Sequence, residues 1–311
     1  MRSIVQIPAL AVLLLGSVLP LSASDSWSSD FAASRQKAES EGKSMLLDFT
    51  GSDWCSWCHR LSNEVFDQAG FEEAISKNFV LVEVDFPQNK SILSQETIEQ
   101  NNTLAKQFAI KGYPTILLCD AEGIPYGSTG YRAGGLEPYM EHLNLMVANK
   151  SKRDELLKEA KSKSGFEKAD LMSRALDEME LSEELTTKFY GDLEKEILSL
   201  DTDRKTSLAK RVDTKAHLET FSDKVKKLVD EKKFDEVDSV SEEMMKDPLM
   251  TGDALQRVYM IHADAQIAAG NKEAGYATLE KAIAVDPKGQ KAELLRKFID
   301  VRRANDAKSS S

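Results

Sequence analysis

Apolar and polar residues follow two different periods along this chain. Between Trp27 and about Asn149, short apolar runs alternate with stretches of helical spacing. Residues 45–50 read as a strand, and Phe79-Val80-Leu81-Val82-Glu83-Val84-Asp85 is the nearly continuous apolar run expected of a strand buried on both faces. Thr115-Ile116-Leu117-Leu118-Cys119 predicts another strand. Between these runs, residues 55–66 predict a helix with Cys58, Leu61 and Val65 on one face, and residues 70–78 a helical stretch with Phe71 and Ile75 four apart. Residues 87–102 read as a loop insertion or a partly helical surface excursion, followed by a helix near 102–109. The turn-rich stretch 120–135 has room for one edge strand before a last helix over 136–147. Strands alternating with helices predict an α/β sandwich with central parallel pairing.

From about Lys150 onward β-branched runs vanish and Glu, Lys, Leu and Ala dominate. Apolar residues recur three and four apart, as in Val225, Leu228 and Val229, or Leu255, Val258, Tyr259 and Ile261. This half is expected to be all-helical and packed as hairpins, with Phe234, Val237 and Val240 on the return helix of one of them. Tyr259, Ala263, Ala274, Gly275, Leu279, Ala282 and Pro287 approach the spacing of a tetratricopeptide repeat; an ordinary helical bundle fits nearly as well. The last nine residues are polar and are expected to fray.

The N-terminus changes the picture of where the fold begins. Arg2 is the only charge before an apolar stretch from Ile4 to Leu21, closed by Ser22-Ala23-Ser24. That order predicts a secretory leader over 1–24, cleaved near Ala23 or Ser24; an uncleaved membrane anchor is the rival reading. The expected organisation is therefore leader 1–24, α/β domain 25–149 and helical domain 150–311, in a periplasmic or secreted protein without membrane insertion after cleavage. A formal net charge of −11 with no basic run argues against nucleic acid as a partner.

With 3 cysteines, the chain has too few for a disulfide framework, which leaves one pair for chemistry and one odd thiol. The pair lies in Cys55-Ser56-Trp57-Cys58-His59, where a predicted strand hands over to a predicted helix. A thiol at a helix N-terminus faces free backbone N–H groups and the positive end of the helix dipole, both of which favour the thiolate that attacks a disulfide. Cys55 is thus the expected exposed nucleophile and Cys58, one turn further in, the more buried resolving thiol. His59 and Ser56 would stabilise the thiolate and Asp53 would oppose them, so the direction of exchange stays open. Other readings of the pentapeptide are a c-type haem attachment signature, a zinc site drawing on Cys119 and His142 or His217, and an inert structural disulfide. Cys119, inside an apolar strand, reads as a small core residue.

Asp48-Phe49-Thr50-Gly51-Ser52-Asp53-Trp54-Cys55-Ser56-Trp57-Cys58 resembles the active-site segment of thioredoxins, and Gly112-Tyr113-Pro114-Thr115 the turn that carries their cis-proline. With Glu64-Val65-Phe66 and Val82 through Pro87, the stretch is similar to exported bacterial thioredoxin-like proteins having a Trp-Cys-x-Trp-Cys site. The resemblance covers about residues 27–149. It implies a thioredoxin-like sandwich followed by the all-α helical-hairpin domain, with Cys55 and Cys58 as the redox pair. Trp54 would flank the nucleophile, and Gly112, Tyr113 and Pro114 would receive an extended substrate segment. Asp48 would be the buried acid that helps deprotonate the resolving thiol, with Trp57 and His59 in supporting places. The chain has one residue more than thioredoxin between that acid and the first cysteine, and Ser56-Trp57 replaces the usual Gly-Pro.

These residues imply a protein thiol–disulfide oxidoreductase of the cell envelope, with no bound cofactor and no metal. Its partners would be protein thiols or disulfides and a redox partner protein. A scaffold that binds envelope proteins through its helical half, with the redox domain secondary, is the alternative. A disulfide isomerase would need a dimer.

Overall fold

The structure is a computed structural model and describes residues 26–309. The expected leader over 1–24 lies outside the described residues. The chain forms two compact units: one holds the chain up to Met146 together with Glu180–Leu185, the other Val147–Met179 together with the chain from Thr186 onward.

The first unit is built on a five-stranded mixed sheet of order β1-β3-β2-β4-β5. Its strands are β1 (Trp27–Ser28), β2 (Ser44–Thr50), β3 (Phe79–Asp85), β4 (Thr115–Cys119) and β5 (Pro125–Thr129). Parallel pairing joins β1 to β3 and β3 to β2, and antiparallel pairing joins β2 to β4 and β4 to β5. The apolar runs that predicted β2, β3 and β4 fill the middle of the sheet: Met45, Leu46, Leu47 and Phe49 are buried, as are Val82, Val84 and Ile116 through Cys119. Helices α1 (Phe31–Glu41), α2 (Ser56–Leu61), α3 (Phe71–Ile75), α4 (Gln95–Gln107) and the start of α5 (Leu136–Ala160) belong with it.

Four elements differ from expectation. The helix predicted over 55–66 ends at Leu61 and continues as a wider π-helical turn, Ser62–Phe66, in which Asp67 N–H donates to the Ser62 carbonyl at 2.8 Å. The extra residue per turn lets two consecutive side chains, Val65 and Phe66, both enter the core, where Phe66 packs 5.1 Å from Trp27 and 5.0 Å from Phe71. Helix α4 begins at Gln95, not near 102, because Ser94 caps it by accepting the Thr97 N–H at 3.1 Å. Helix α5 runs on to Ala160, since no Gly or Pro stops it after Pro138. The two-residue β1 is too short to leave a periodic signature.

The second unit is all-helical: the rest of α5, then α6 (Gly165–Asp177), α7 (Glu183–Leu200) from Thr186 onward, α8 (Ser207–Asp230), α9 (Phe234–Met244), α10 (Gly252–Ala268), α11 (Lys272–Val285) and α12 (Gln290–Ser309). Helices α8 and α9 make the expected hairpin, and Phe221, Val225, Leu228, Val237 and Val258 share one core cluster. A second cluster gathers Ala263, Tyr276, Leu279, Ala282, Leu295 and Ile299. Helix α11 crosses α10 so closely at Gly275 that a Cβ there would lie 2.5 Å from Ile267 Cγ1 and 3.0 Å from the Ala263 carbonyl oxygen. The polar C-terminal stretch, expected to fray, continues α12 to Ser309.

Candidate active site

At the end of β2 the backbone folds tightly: Trp54 and Cys55 N–H both donate to the Gly51 carbonyl, at 3.2 and 2.9 Å. The Trp54 ring lies directly on Gly51, where a Cβ would meet indole Cε2 at 2.5 Å. The loop is then tied to the end of β3. Asp85 accepts Ser52 N–H at 2.8 Å and Ser52 Oγ at 2.5 Å. Asp53 accepts the backbone N–H groups of Gln88 and Asn89 at 2.8 and 2.9 Å, and those bonds, Asn89 first, hold its carboxyl below the usual aspartate range. His59 Nε2 donates to the Ser52 carbonyl at 2.6 Å, so this histidine braces the same loop.

Cys55 caps the N-terminus of α2, and its Sγ accepts the Cys58 N–H at 3.2 Å. The two cysteines are joined in a disulfide with Cα atoms 5.2 Å apart. In the reduced protein the same N–H faces the Cys55 sulfur and favours its anion. The expected contrast in exposure between the two is absent from the disulfide form: Cys55 is 5% and Cys58 6% exposed. Cys119 is a free, fully buried thiol in β4, and burial, followed by the Asp120 charge, pushes its pKa well above the ordinary thiol value.

Asp48 lies on β2, in register between Glu83 on β3 and Ile116 on β4. It is buried and its Oδ1 has no hydrogen-bond partner. Burial, then the charges of Glu83 and Asp85, push its carboxyl well above the usual aspartate range.

Trp54 and Trp57, which each precede one of the two cysteines in sequence, pack against aromatic partners. Trp54 is 43% exposed; its Nε1–H donates to the Phe86 carbonyl at 2.8 Å and its ring stands edge-on to Tyr113 at 5.7 Å. Tyr113 also packs 5.3 Å from Phe86 and precedes Pro114 through a cis peptide bond. The Gly112 carbonyl of that turn accepts Thr115 Oγ1 at 2.8 Å. Trp57, 53% exposed, packs 5.2 Å from Tyr131, and the Arg60 guanidinium lies over both rings at 5.6 and 5.1 Å. Glu64 accepts from Arg60 Nε at 2.7 Å and from Tyr131 Oη at 2.8 Å. The Arg60–Glu64 pair is legible as helical i,i+4 spacing, but Tyr131 comes from a turn 67 residues further on and carries no local signal.

The histidines that a zinc site would draw on have other partners: His142 Nε2 meets Thr129 Oγ1 at 3.1 Å and His217 Nδ1 meets Asp247 Oδ2 at 2.6 Å. Among the described residues no group of three or more His, Cys, Asp or Glu is arranged to hold a metal ion. Nor is any helix among them long and apolar enough to cross a membrane.

A mixed sheet whose central strand delivers a disulfide-forming cysteine pair to the start of a helix is the framework of a thiol–disulfide oxidoreductase, and that is the class of this protein. Residues 31–143 match the family model described as a thioredoxin-like domain. The chain is 31% identical over 121 residues to the disulfide bond reductase DsbH of Chlamydia pneumoniae, a match spanning 39% of this chain and 72% of that protein. It is 30% identical over 128 residues to the thioredoxin-related protein DsbJ of the same organism, spanning 39% of this chain and 36% of that one. Among solved structures, a DsbH oxidoreductase is 27% identical with a TM-score of 0.38, covering 44% of this chain and 95% of that one. The chain belongs to the thioredoxin-like family.

Proposed function

We propose that the protein exchanges thiols and disulfides with protein substrates in the cell envelope, working chiefly as a disulfide reductase through Cys55 and Cys58. The observation that carries this reading is the Cys55–Cys58 disulfide at the N-terminus of α2, with the Cys58 N–H on the Cys55 sulfur. The reductase direction draws support from the disulfide bond reductase among its relatives, and the envelope location from the leader-like order of residues 1–24.

In the forward reaction the Cys55 thiolate attacks one sulfur of a substrate disulfide. The substrate S–S bond breaks, one substrate thiolate leaves, and a mixed disulfide forms at Cys55. Cys58, deprotonated with the help of Asp48, attacks the Cys55 sulfur. The mixed bond breaks, the second substrate thiolate leaves with its electrons, and the Cys55–Cys58 disulfide remains. A dithiol partner protein then reduces that disulfide for the next turnover. The turn Gly112–Pro114 and the fixed Trp54 receive the extended substrate segment, His59 steadies the loop before the nucleophile, and Trp57 borders the pair. The first unit carries the catalysis, and the second is a separate helical domain.

The test is a trap. Cys58→Ser leaves the first step intact and removes the second, so the variant accumulates a mixed disulfide with protein substrates through Cys55, read by mass spectrometry. Cys55→Ser forms none. Equilibration with glutathione gives a potential near the reductase thioredoxin, about −270 mV. Absence of any Cys58→Ser adduct overturns the exchange reading, and a potential nearer the strong oxidants, about −120 mV, overturns the direction.

A further inference from the structure

Trp57 is half-exposed and yet tightly held. An indole at the surface ordinarily hops between rotamers within nanoseconds. Here it lies against Tyr131, and the Arg60 guanidinium spans both rings. Glu64 grips that arrangement from below, taking one hydrogen bond from Arg60 Nε and one from Tyr131 Oη. The carboxylate therefore ties the helix that carries Trp57 to a turn beyond β5. Glu64 lies in the π-helical turn Ser62–Phe66, four residues after Arg60, and so reaches both Arg60 and Tyr131. These contacts neutralise Arg60 and leave Trp57 as an apolar plate. Trp57 lies in the first turn of α2, between the two cysteines in sequence and 53% exposed, so a chain that docks over the disulfide has to pass that turn.

A side chain fixed before binding loses little conformational entropy when a partner arrives, so its contact translates more fully into affinity. That benefit goes only to a substrate with apolar groups beside its disulfide. Glutathione disulfide, small and charged, has none to offer; a polypeptide does.

We infer that Glu64 and Tyr131 are positioning residues that hold Trp57 as a fixed apolar contact for the chain around a substrate disulfide, so that the enzyme selects disulfides carried in polypeptide over small charged ones. The inference deepens the exchange reading above and rests on it.

The experiment uses the full chain, reduced with dithiothreitol and desalted, in single-turnover reduction of insulin and of glutathione disulfide. Varying substrate concentration separates the half-saturation concentration from the limiting rate. With Glu64→Ala or Tyr131→Ala, half-saturation by insulin rises roughly tenfold, in line with the worth of an aromatic contact, while the limiting rate stays within twofold. The ratio of second-order rate constants, insulin over glutathione disulfide, falls by the same factor. Glu64→Gln, which keeps an acceptor oxygen, recovers most of the loss. Tyr131→Phe, which keeps the ring and loses only the hydroxyl, falls between. The inference is overturned if the two substrates slow in proportion, if only the limiting rate falls, or if the conservative variants behave like alanine. Wild-type protein that reduces neither substrate overturns the exchange reading itself.

Discussion

Replacing Asp48 with Asn keeps the shape of the side chain and removes its charge. In the wild type the carboxyl is buried on β2, its Oδ1 is unpartnered, and Glu83 lies beside it in the ladder. Its folded-state pKa is raised, so its contribution to stability is complete below the unfolded-state value of about 3.9 and is lost as pH rises through the folded-state value. Asn has no such loss. The advantage of the variant therefore grows with pH from about 4 and levels off once the wild-type carboxyl ionises in the fold. A buried polar group left unsatisfied costs roughly 1–3 kcal/mol, more when charged, so the plateau is about 2 kcal/mol. With a urea dependence of about 1–3 kcal/mol per molar, that moves the midpoint by about 1 M. All three tryptophans, Trp27, Trp54 and Trp57, precede Met146, so tryptophan fluorescence follows the first unit alone. Urea titrations of the disulfide form at pH 4.5 and pH 8 supply the comparison. A stability difference between variant and wild type that is the same at both pH values refutes the reasoning.

Two further substitutions probe close approaches. Gly51→Ala puts a methyl group into the Trp54 indole, which must swing away and give up its hydrogen bond to the Phe86 carbonyl. The loss is about 1 kcal/mol in unfolding, accompanied by a slower reduction of insulin in the same stopped assay. Gly275→Ala overpacks the α10–α11 crossing, and we expect about 1–3 kcal/mol of destabilisation in the second unit, followed by far-UV circular dichroism, with the tryptophan-detected transition unmoved.

The middle of the sheet was legible because β2, β3 and β4 are largely buried on both faces and so appear as nearly continuous apolar runs, broken only by residues such as Asp48 and Glu83. The cysteine pair was legible because its chemistry is local: four consecutive residues at one helix start. The helical half announced itself through composition and three- and four-residue spacing, and Val225, Leu228 and Val237 do meet in one cluster. What escaped was set by distant partners or by small local devices. Tyr131 joins Glu64 across 67 residues, which no periodicity encodes. The π-helical turn arises from the need to bury Val65 and Phe66 together, and a plain helical wheel places only Val65 inward. The start of α4 was signalled by Ser94, but the polar run around it read equally as a loop or a partly helical excursion, which left the helix start undefined. The equal burial of Cys55 and Cys58 belongs to the disulfide form, and sequence carries no oxidation state.

Cys119 gives the molecule an internal timer. Its side chain is sealed in β4, bonded on one side to β2 and on the other to β5, and it shares no chemistry with the pair at α2. A maleimide pulse on the reduced native protein will therefore mark the activated Cys55 first, and Cys119 only as often as those strands part. The delay at Cys119, read peptide by peptide, measures how frequently the sheet opens, residue-specifically and with no engineered label.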